Sequence, residues 1–243
     1  AEGNILSGWF LDHADKPARA ADEESETPYI TGRAIDFIRE AGDQPWCLHL
    51  SYIKPHWPYI VPAPYHDLYG PESHLDPVRS AAEKRDPHPV YGAFMQERVS
   101  QAFSDDATRG RVLTAYMGLI KQLDDQIGRL MAFLTEEGVA DDTMIVFTSD
   151  HGDYLGDHWM GEKELFHDPS ARIPMIVVDP RPEADATRGA KSSALVEAID
   201  VVPTILDYFG GAAVPHIIEG RSLLPLLHGK AERLRDFVVS EYD

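Results

Sequence analysis

A long amphipathic helix that leads directly into an apolar strand constrains this fold more than any other feature of the sequence. Over residues 111–137, apolar side chains recur at alternating steps of three and four, which is the spacing of one helical stripe. The stripe consists of Leu113, Tyr116, Ile120, Leu123, Ile127, Leu130 and Leu134, and a glycine at position 138 ends it. The apolar run at 143–148 then predicts a buried strand. A helix followed by a strand in this way is typical of a layered α/β domain.

The same alternation continues on both sides of this unit. Residues 29–42 predict a helix, residues 46–52 predict a buried strand, and residues 173–178 predict another strand. A helix capped by Asp200 follows, and a last strand begins at Phe237. The pattern predicts an α/β fold, with a mostly parallel sheet flanked by helices on both faces.

Two proline-rich stretches interrupt the alternation. Residues 54–64 leave the strand at 46–52 as a loop, and residues 71–91 are irregular and polar. We expect the second stretch to wrap the surface or to line the entrance of a pocket.

The charge balance narrows the range of partners. The chain has 22 basic and 41 acidic residues, for a net charge of -19. Such a surface repels nucleic acid and anionic membranes, so we expect neither as a partner. It also repels an anionic ester, so a pocket for one needs local cations or a metal ion. No stretch approaches the roughly 18 apolar residues of a membrane span.

The cysteine content bears on the cellular compartment. Cys47 is the single cysteine, which excludes an internal disulfide framework and fits a reducing, cytoplasmic location. Because it lies in the apolar run at 46–52, we expect a buried core thiol.

Asp150 and His151 form the strongest candidate for a metal site. They follow the strand at 143–148 directly, and ligands bind at the carboxyl ends of strands in open α/β sheets. A carboxylate and an imidazole together suit a divalent ion. Gly152 permits a sharp turn or a close approach to a ligand. Taken alone, the pair also fits a capping aspartate beside a surface histidine.

Three motifs together resemble the sulfatase family of the alkaline phosphatase superfamily. The run Asp-His-Gly-Asp-Tyr-Leu-Gly-Asp-His at 150–158, with Lys163 after it, is similar to the family's C-terminal metal signature. Lys-Pro-His-Trp-Pro at 54–58 is similar to its Pro-His-x-Pro loop, and residues 199–206 resemble a later helix. The resemblance covers nearly the whole chain and implies an alkaline-phosphatase-like fold. It also implies hydrolysis of sulfate or phosphate-type esters.

The resemblance assigns roles to individual residues. Asp150 and His151 correspond to ligands of one divalent ion. His56 corresponds to a histidine that contacts the substrate or protonates its leaving group, and Lys163 corresponds to a lysine that neutralises an anionic oxygen. Each has a structural alternative: His56 packs a loop, and Lys163 lies on a solvated helix face. Lys54 is either a second anion contact or a surface charge.

His151 departs from many calcium-dependent sulfatases, which have Asn at this position. Imidazole suits manganese, zinc or iron better than calcium, so we expect manganese before calcium, with zinc and iron as alternatives. Together with the similarity over residues 46–66, this favours the phosphonate monoester hydrolase and phosphodiesterase branch. A sulfatase acting on aryl or choline sulfate is the alternative.

The family's nucleophile is missing from these 243 residues. It is a formylglycine made from Cys or Ser in a Cys/Ser-x-Pro/Ala-x-Arg motif, and Cys47 begins no such motif. We therefore expect residues 1–243 to be the C-terminal part of one such domain, truncated at both ends and inactive alone. A non-catalytic binding or assembly module is the alternative of another class. The expected partners are a small anionic ester and further copies of the protein in a homo-oligomer.

Overall fold

The computed structural model describes residue 11, residues 13–214 and residues 216–241. The chain divides into two compact units. The first comprises the chain up to Glu137 together with Asp153–Glu164. The second comprises Gly138–Gly152 together with the chain from Leu165 onward.

Helices dominate the described part of the first unit. In chain order they are α1 Glu26–Ala41, α2 Pro89–Met95, α3 Arg98–Phe103 and α4 Asp106–Glu136, with 3₁₀ turns at Asp22–Glu24, Tyr65–Asp67, Pro71–Ser73 and Asp157–Trp159. The two predicted helices are therefore present, and both begin earlier than predicted. The start of α4 is set by Asp105, whose carboxylate accepts the backbone N–H of Thr108 at 2.8 Å.

The buried face of α4 is not quite the predicted apolar stripe. Ile120 is 44% exposed, whereas Gln122 is buried. The Gln122 amide donates hydrogen bonds to Asp22 Oδ1 at 2.6 Å and to Ser25 Oγ at 2.8 Å, so its polar group is satisfied inside the protein. The buried residues of α4 are Arg109, Val112, Leu113, Ala115, Gly118, Leu119, Gln122, Gln126, Phe133 and Leu134.

Small residues on this face let the chain that follows His56 pack closely on α4. A side chain at Gly118 would bring its Cβ to 2.3 Å from the carbonyl oxygen of Tyr65. The core of the first unit forms here, from Leu11, Ala14, Tyr59, Val61, Phe103, Val112, Ala115 and Leu119. The candidate catalytic loop at 54–58 therefore runs directly into the core.

The prediction of a buried strand at 46–52 is wrong for the described residues. This segment forms no strand ladder, and Cys47 is exposed rather than a core thiol. Burial alternates along it, with Cys47, His49 and Ser51 exposed and the residues between them half-buried. This is the period of an extended chain, but a ladder requires a neighbouring strand, and none of the described residues pairs with this segment.

The stretch at 71–91, which was predicted to wrap the surface or to line a pocket entrance, is irregular between a 3₁₀ turn at Pro71–Ser73 and the start of α2 at Pro89. Arg79 anchors it by donating to the carbonyl oxygen of Phe103 at 3.1 Å. The same guanidinium stacks on the indole ring of Trp159, 4.3 Å from the ring centre.

In the second unit the described elements are β1 Ile145–Thr148, α5 Asp168–Ala171, β2 Met175–Val178, α6 Val201–Tyr208 and α7 Leu224–Leu227, with 3₁₀ turns at Ala140–Asp142, Pro182–Thr187 and Ala198–Asp200. The strands β1 and β2 pair antiparallel, with Ile145 opposite Val178 and Phe147 opposite Ile176. The prediction is of a mostly parallel sheet, and such a sheet can include an antiparallel pair like this one.

Two predictions in the second unit are corrected. The strand expected from Phe237 forms no ladder within the described residues. Asp200 makes no side-chain cap on α6. It instead accepts the N–H of Glu197 at 2.8 Å and the N–H of Arg221 at 2.7 Å. The guanidinium of Arg235 also donates to it, at 2.5 Å. A buried carboxylate with this many donors ties three chain segments together.

A second buried carboxylate, Asp179, stabilises the end of β2. Burial alone would raise its pKa, but hydrogen bonds from Arg181 at 2.7 Å and His228 at 2.9 Å hold the pKa well below its usual range. The side chain of Asp179 has no exposed surface, so these donors replace the water it loses.

Among the described residues, every helix is either too short or too polar to serve as a membrane span.

We predict opposite effects for two glycine substitutions in α4. Gly118→Ala places a Cβ 2.3 Å from the backbone oxygen of Tyr65, so it should destabilise the protein by about 1–3 kcal/mol. The free energy of unfolding, measured in urea, checks this.

Gly128→Ala is the matched control in the same helix. Its Cβ would meet no atom within 4 Å, so it should stabilise the helix by about 0.5–1 kcal/mol. If Gly118→Ala did not destabilise the protein relative to the wild type, the close packing at Gly118 would be refuted.

Candidate active site

The loop that carries His56 is folded around the side chain of Lys54. The Lys54 ammonium donates to the carbonyl oxygens of His56 at 3.1 Å and Pro58 at 2.8 Å. Burial lowers its pKa from the usual value. Lys54 therefore orders this loop from within, and its predicted contact with substrate stays a prediction.

The ring of His56 is oriented by the backbone of the following residue. Its Nδ1 lies 2.9 Å from the carbonyl oxygen of Trp57. A carbonyl oxygen only accepts, so Nδ1 carries the hydrogen in this contact. The other ring nitrogen, Nε2, lies 3.5 Å from Nζ of Lys163. The first unit thus brings together two of the predicted catalytic residues.

Lys163 lies in a half-buried loop that contains no helix, so the alternative of a solvated helix face is wrong. Its backbone N–H donates to Glu164 Oε2 at 3.1 Å. Burial, together with the nearby carboxylates of Glu164 and Glu162, raises the pKa of Glu97. In the chain, Lys163 therefore lies between two glutamates, one of which accepts its backbone N–H.

A hydrogen bond between Tyr59 and Asp153 joins the His56 loop to the segment that leads to Lys163. The Tyr59 hydroxyl donates to Asp153 Oδ2 at 2.6 Å, and Asp153 Oδ1 accepts the N–H of Leu155 at 3.0 Å. Burial and the Asp153 carboxylate raise the pKa of Tyr59 well above its usual value. Tyr59 is fully enclosed and Asp153 is half-buried, so the bond is shielded from water on the tyrosine side.

Asp150 and His151 lie in the second unit, just after β1, and their side chains converge. Asp150 Oδ2 is 3.6 Å from His151 Nε2, and the backbone turns so that the His151 N–H donates to Asp150 Oδ1 at 3.0 Å. His151 Nδ1 lies 2.7 Å from the carbonyl oxygen of Gly152, which assigns the hydrogen to Nδ1 and turns Nε2 toward the carboxylate.

Gly152 is needed for a close approach, although to its own chain rather than to a ligand. Its N–H donates to the carbonyl oxygen of Ser170 at 2.8 Å. A Cβ at this position would lie 1.9 Å from the carbonyl oxygen of Pro169. The backbone of α5 therefore holds the turn that contains Asp150 and His151.

The donor set of Asp150 and His151 fits part of a divalent metal site. Two ligand atoms that each bind one ion at about 2.1 Å lie roughly 3–3.5 Å apart. The distance between Asp150 Oδ2 and His151 Nε2, 3.6 Å, is close to this value. The Asp150 side chain is 87% exposed, so its oxygens are accessible. Within residue 11 and the ranges 13–214 and 216–241, no three His, Cys, Asp or Glu side chains are arranged to hold an ion.

The five predicted site residues thus form two groups. His56, Lys163 and Lys54 lie in the first unit, and Asp150 and His151 lie in the second. Sequence reasoning missed the bond between Tyr59 and Asp153. Asp153 lies within the motif at 150–158, and Tyr59 directly follows the motif at 54–58. This proximity to the motifs was the only signal in the sequence, and no spacing rule indicated that the two side chains meet.

Comparison with known proteins places the chain in a family. The profile described as Sulfatase matches residues 5–212, and the chain belongs to this family.

Individual relatives agree with this assignment. The chain is 36% identical to the multifunctional alkaline phosphatase superfamily protein PehA of Trinickia caryophylli, over 94% of this chain and 46% of that protein. It is 31% identical to an arylsulfatase of Clostridium perfringens, over 89% of this chain and 44% of that one. The chain therefore spans about half the length of the curated relatives it matches.

Solved structures confirm the fold class. The phosphonate monoester hydrolase SpPMH of Silicibacter pomeroyi superposes with a TM-score of 0.80 at 34% identity, over 90% of this chain and 44% of that chain. The predicted α/β fold of the alkaline phosphatase type is confirmed, as a partial domain.

We predict that Tyr59→Phe destabilises the protein by about 1.5–3 kcal/mol at neutral pH, since it removes the hydrogen bond that a buried tyrosine donates to the half-buried carboxylate of Asp153. This difference in stability between the variant and the wild type should have its full size below pH ~10 and should shrink above it. The reason is that the unfolded tyrosine releases its proton near pH ~10, while the folded one, with its raised pKa, keeps it. Above that pH wild-type stability therefore falls. Urea unfolding at several pH values measures the effect.

Tyr29→Phe serves as the control, because Tyr29 is 65% exposed. Its effect should stay within about 0.5 kcal/mol. A Tyr59→Phe variant as stable as this control would contradict the assigned hydrogen bond.

Proposed function

We propose that this chain forms part of a metal-dependent hydrolase of phosphonate or phosphate mono- and diesters. Its nucleophile, a formylglycine, would come from sequence outside these 243 residues. The observation that supports the proposal most strongly is the placement of Lys163 Nζ 3.5 Å from His56 Nε2. This pair of residues belongs to a chain of which 90% is similar to a phosphonate monoester hydrolase.

The two residues supply complementary chemistry. The Lys163 ammonium binds an anionic oxygen of the ester and offsets charge that builds up on the transferring group. His56 contacts the same group through Nε2, because Nδ1 is engaged with the carbonyl oxygen of Trp57. Nε2 is therefore the ring atom that meets the leaving oxygen, and it can deliver a proton there only from the imidazolium form, in which both ring nitrogens carry a hydrogen. With a net charge of -19 on the chain, this local cation is needed to attract an anion.

Asp150 and His151 would hold the metal ion through a carboxylate oxygen and Nε2. The ion would supply positive charge at the ester oxygens. The imidazole favours manganese over calcium, with zinc or iron as alternatives. Further ligands would come from the remainder of the domain.

Two alternatives have specific support. The similarity to an arylsulfatase over 89% of the chain supports hydrolysis of aryl or choline sulfate esters. The lack of a formylglycine motif in the 243 residues supports a non-catalytic binding or assembly module. Assembly into a homo-oligomer and a cytoplasmic location are further proposals.

We predict that the protein at its full natural length contains a Cys/Ser-x-Pro/Ala-x-Arg peptide converted to the aldehyde. Peptide mass mapping detects the conversion. We also expect kcat/KM to be higher for a phenyl phosphonate monoester than for an aryl sulfate. The reverse ratio would identify a sulfatase, and a protein with neither peptide nor activity would identify the non-catalytic module.

We predict that Lys163→Met lowers kcat of the full-length protein roughly 10²–10³-fold, because charge on the transferring group loses its counterion. Steady-state kinetics on the preferred ester measures this.

Lys191→Met is the matched control, since Lys191 is an exposed lysine in the other unit, and it should leave kcat unchanged. Equal rates for the Lys163→Met variant and the wild type would disprove the role of Lys163.

A further inference from the structure

The segment directly before Lys163 is a closed loop, Tyr154–Glu162, which we call the 154–162 loop. Tyr154 N–H donates to the carbonyl oxygen of Glu162 at 2.7 Å, so the two ends of the loop are bonded to each other. Inside it, Gly156 N–H donates to the carbonyl oxygen of Met160 at 2.9 Å. Tyr154 and Met160 are each 1% exposed. Any shift of the start of the loop is therefore transmitted to its end, where Lys163 follows.

This loop has an unfavourable backbone conformation. Four of its non-glycine residues have left-handed φ angles: Leu155 at 46°, His158 at 51°, Trp159 at 63° and Glu162 at 59°. Each such residue brings its Cβ close to the following carbonyl oxygen, which is unfavourable, and such strain persists only where surrounding contacts enforce it. The loop thus depends on groups outside it for its shape.

Arg109 of α4 is one of the groups outside the loop that contact it. It is a buried arginine, 8% exposed. Its Nε donates to the carbonyl oxygen of Leu155 at 2.8 Å, and its Nη2 donates to the carbonyl oxygen of Leu75 at 2.7 Å. Leu155 is the first left-handed residue of the loop. The planar guanidinium suits two acceptors on two chain segments, which a single ammonium point charge matches less well.

The loop also packs directly on the arginine stem. A Cβ at Gly156 would lie 2.8 Å from Cδ of Arg109, and Gly156 has a φ of 97°. Only glycine combines this φ with so close an approach. Arg109 and the loop therefore fit each other both in hydrogen bonding and in shape.

We propose that Arg109 is a positioning residue for Lys163. It holds the 154–162 loop in its left-handed conformation, and the loop in turn places Lys163 Nζ beside His56 Nε2. The functional part of this inference rests on the proposed role of Lys163, whereas its structural part does not.

The structural part is tested by amide hydrogen exchange, followed by mass spectrometry of peptides that cover 153–163. In Arg109→Met we expect exchange in this segment to accelerate at least tenfold, while α1 and α6 exchange as in the wild type. Arg129→Met is the control: it removes an exposed arginine from the same helix and should leave the loop protected. Unchanged loop protection in Arg109→Met would overturn the proposal.

Arg109→Lys covers the case in which the methionine variant fails to fold. It retains the charge and the stem but loses the planar fork, so it should fold and still show faster exchange in the loop. Wild-type protection in this variant would show that the fork is not required and would overturn the assignment.

The functional part is tested by a double-mutant cycle on kcat/KM of the full-length protein. Arg109→Met should lower the rate roughly 10- to 10²-fold by misplacing Lys163. In a Lys163→Met background, Arg109→Met should lower the rate almost no further, because the ammonium that Arg109 positions is absent. Additive losses would indicate a general structural role and overturn the positioning role. If Lys163→Met alone left the rate unchanged, the proposed function would fail, and hydrogen exchange would still decide the contact between Arg109 and the loop.

Discussion

Packing against one face of α4 is the constraint on which the described first unit depends. That face buries small and polar residues as well as apolar ones: Gly118 admits the backbone of Tyr65, and Gln122 is buried with both of its acceptors in place. The chain that follows His56 rests on this face, and Arg109 extends from it to the loop before Lys163. Both candidate catalytic side chains are therefore positioned by one helix, whose stiffness comes from its own backbone hydrogen bonds.

The two candidate histidines make the same local hydrogen bond, which selects the tautomer of each ring. His56 and His151 each direct Nδ1 to the carbonyl oxygen of the following residue, at 2.9 Å and 2.7 Å. In both cases the backbone selects the tautomer and turns Nε2 toward a charged partner, Lys163 or Asp150. The same interaction therefore leaves Nε2 as the ring nitrogen that the proposed roles of both histidines would use.

Predictions from the sequence succeeded where they depended on local spacing. The helices around 29–42 and 111–137 are present, and so are the strands within 143–148 and 173–178. They failed where a partner was required. Along residues 46–52 the exposure of the side chains alternates as in a strand, although no ladder forms. Cys47 is one of the exposed residues. No pattern within β1 or β2 distinguishes antiparallel from parallel pairing, because the connecting chain decides it.

The sequence alone determined the helices around 29–42 and 111–137, the strands within 143–148 and 173–178, and the motifs that mark the family, since periodicity and adjacent residues act within a few positions. Asp150 and His151 are neighbours in the chain, so their meeting needed only one turn. Tertiary structure alone decided that Lys163 meets His56 across 107 positions and that Asp153 meets Tyr59 across 94. Such contacts depend on how whole segments pack on α4. The sum of many weak contacts settles that packing, and no spacing rule encodes it.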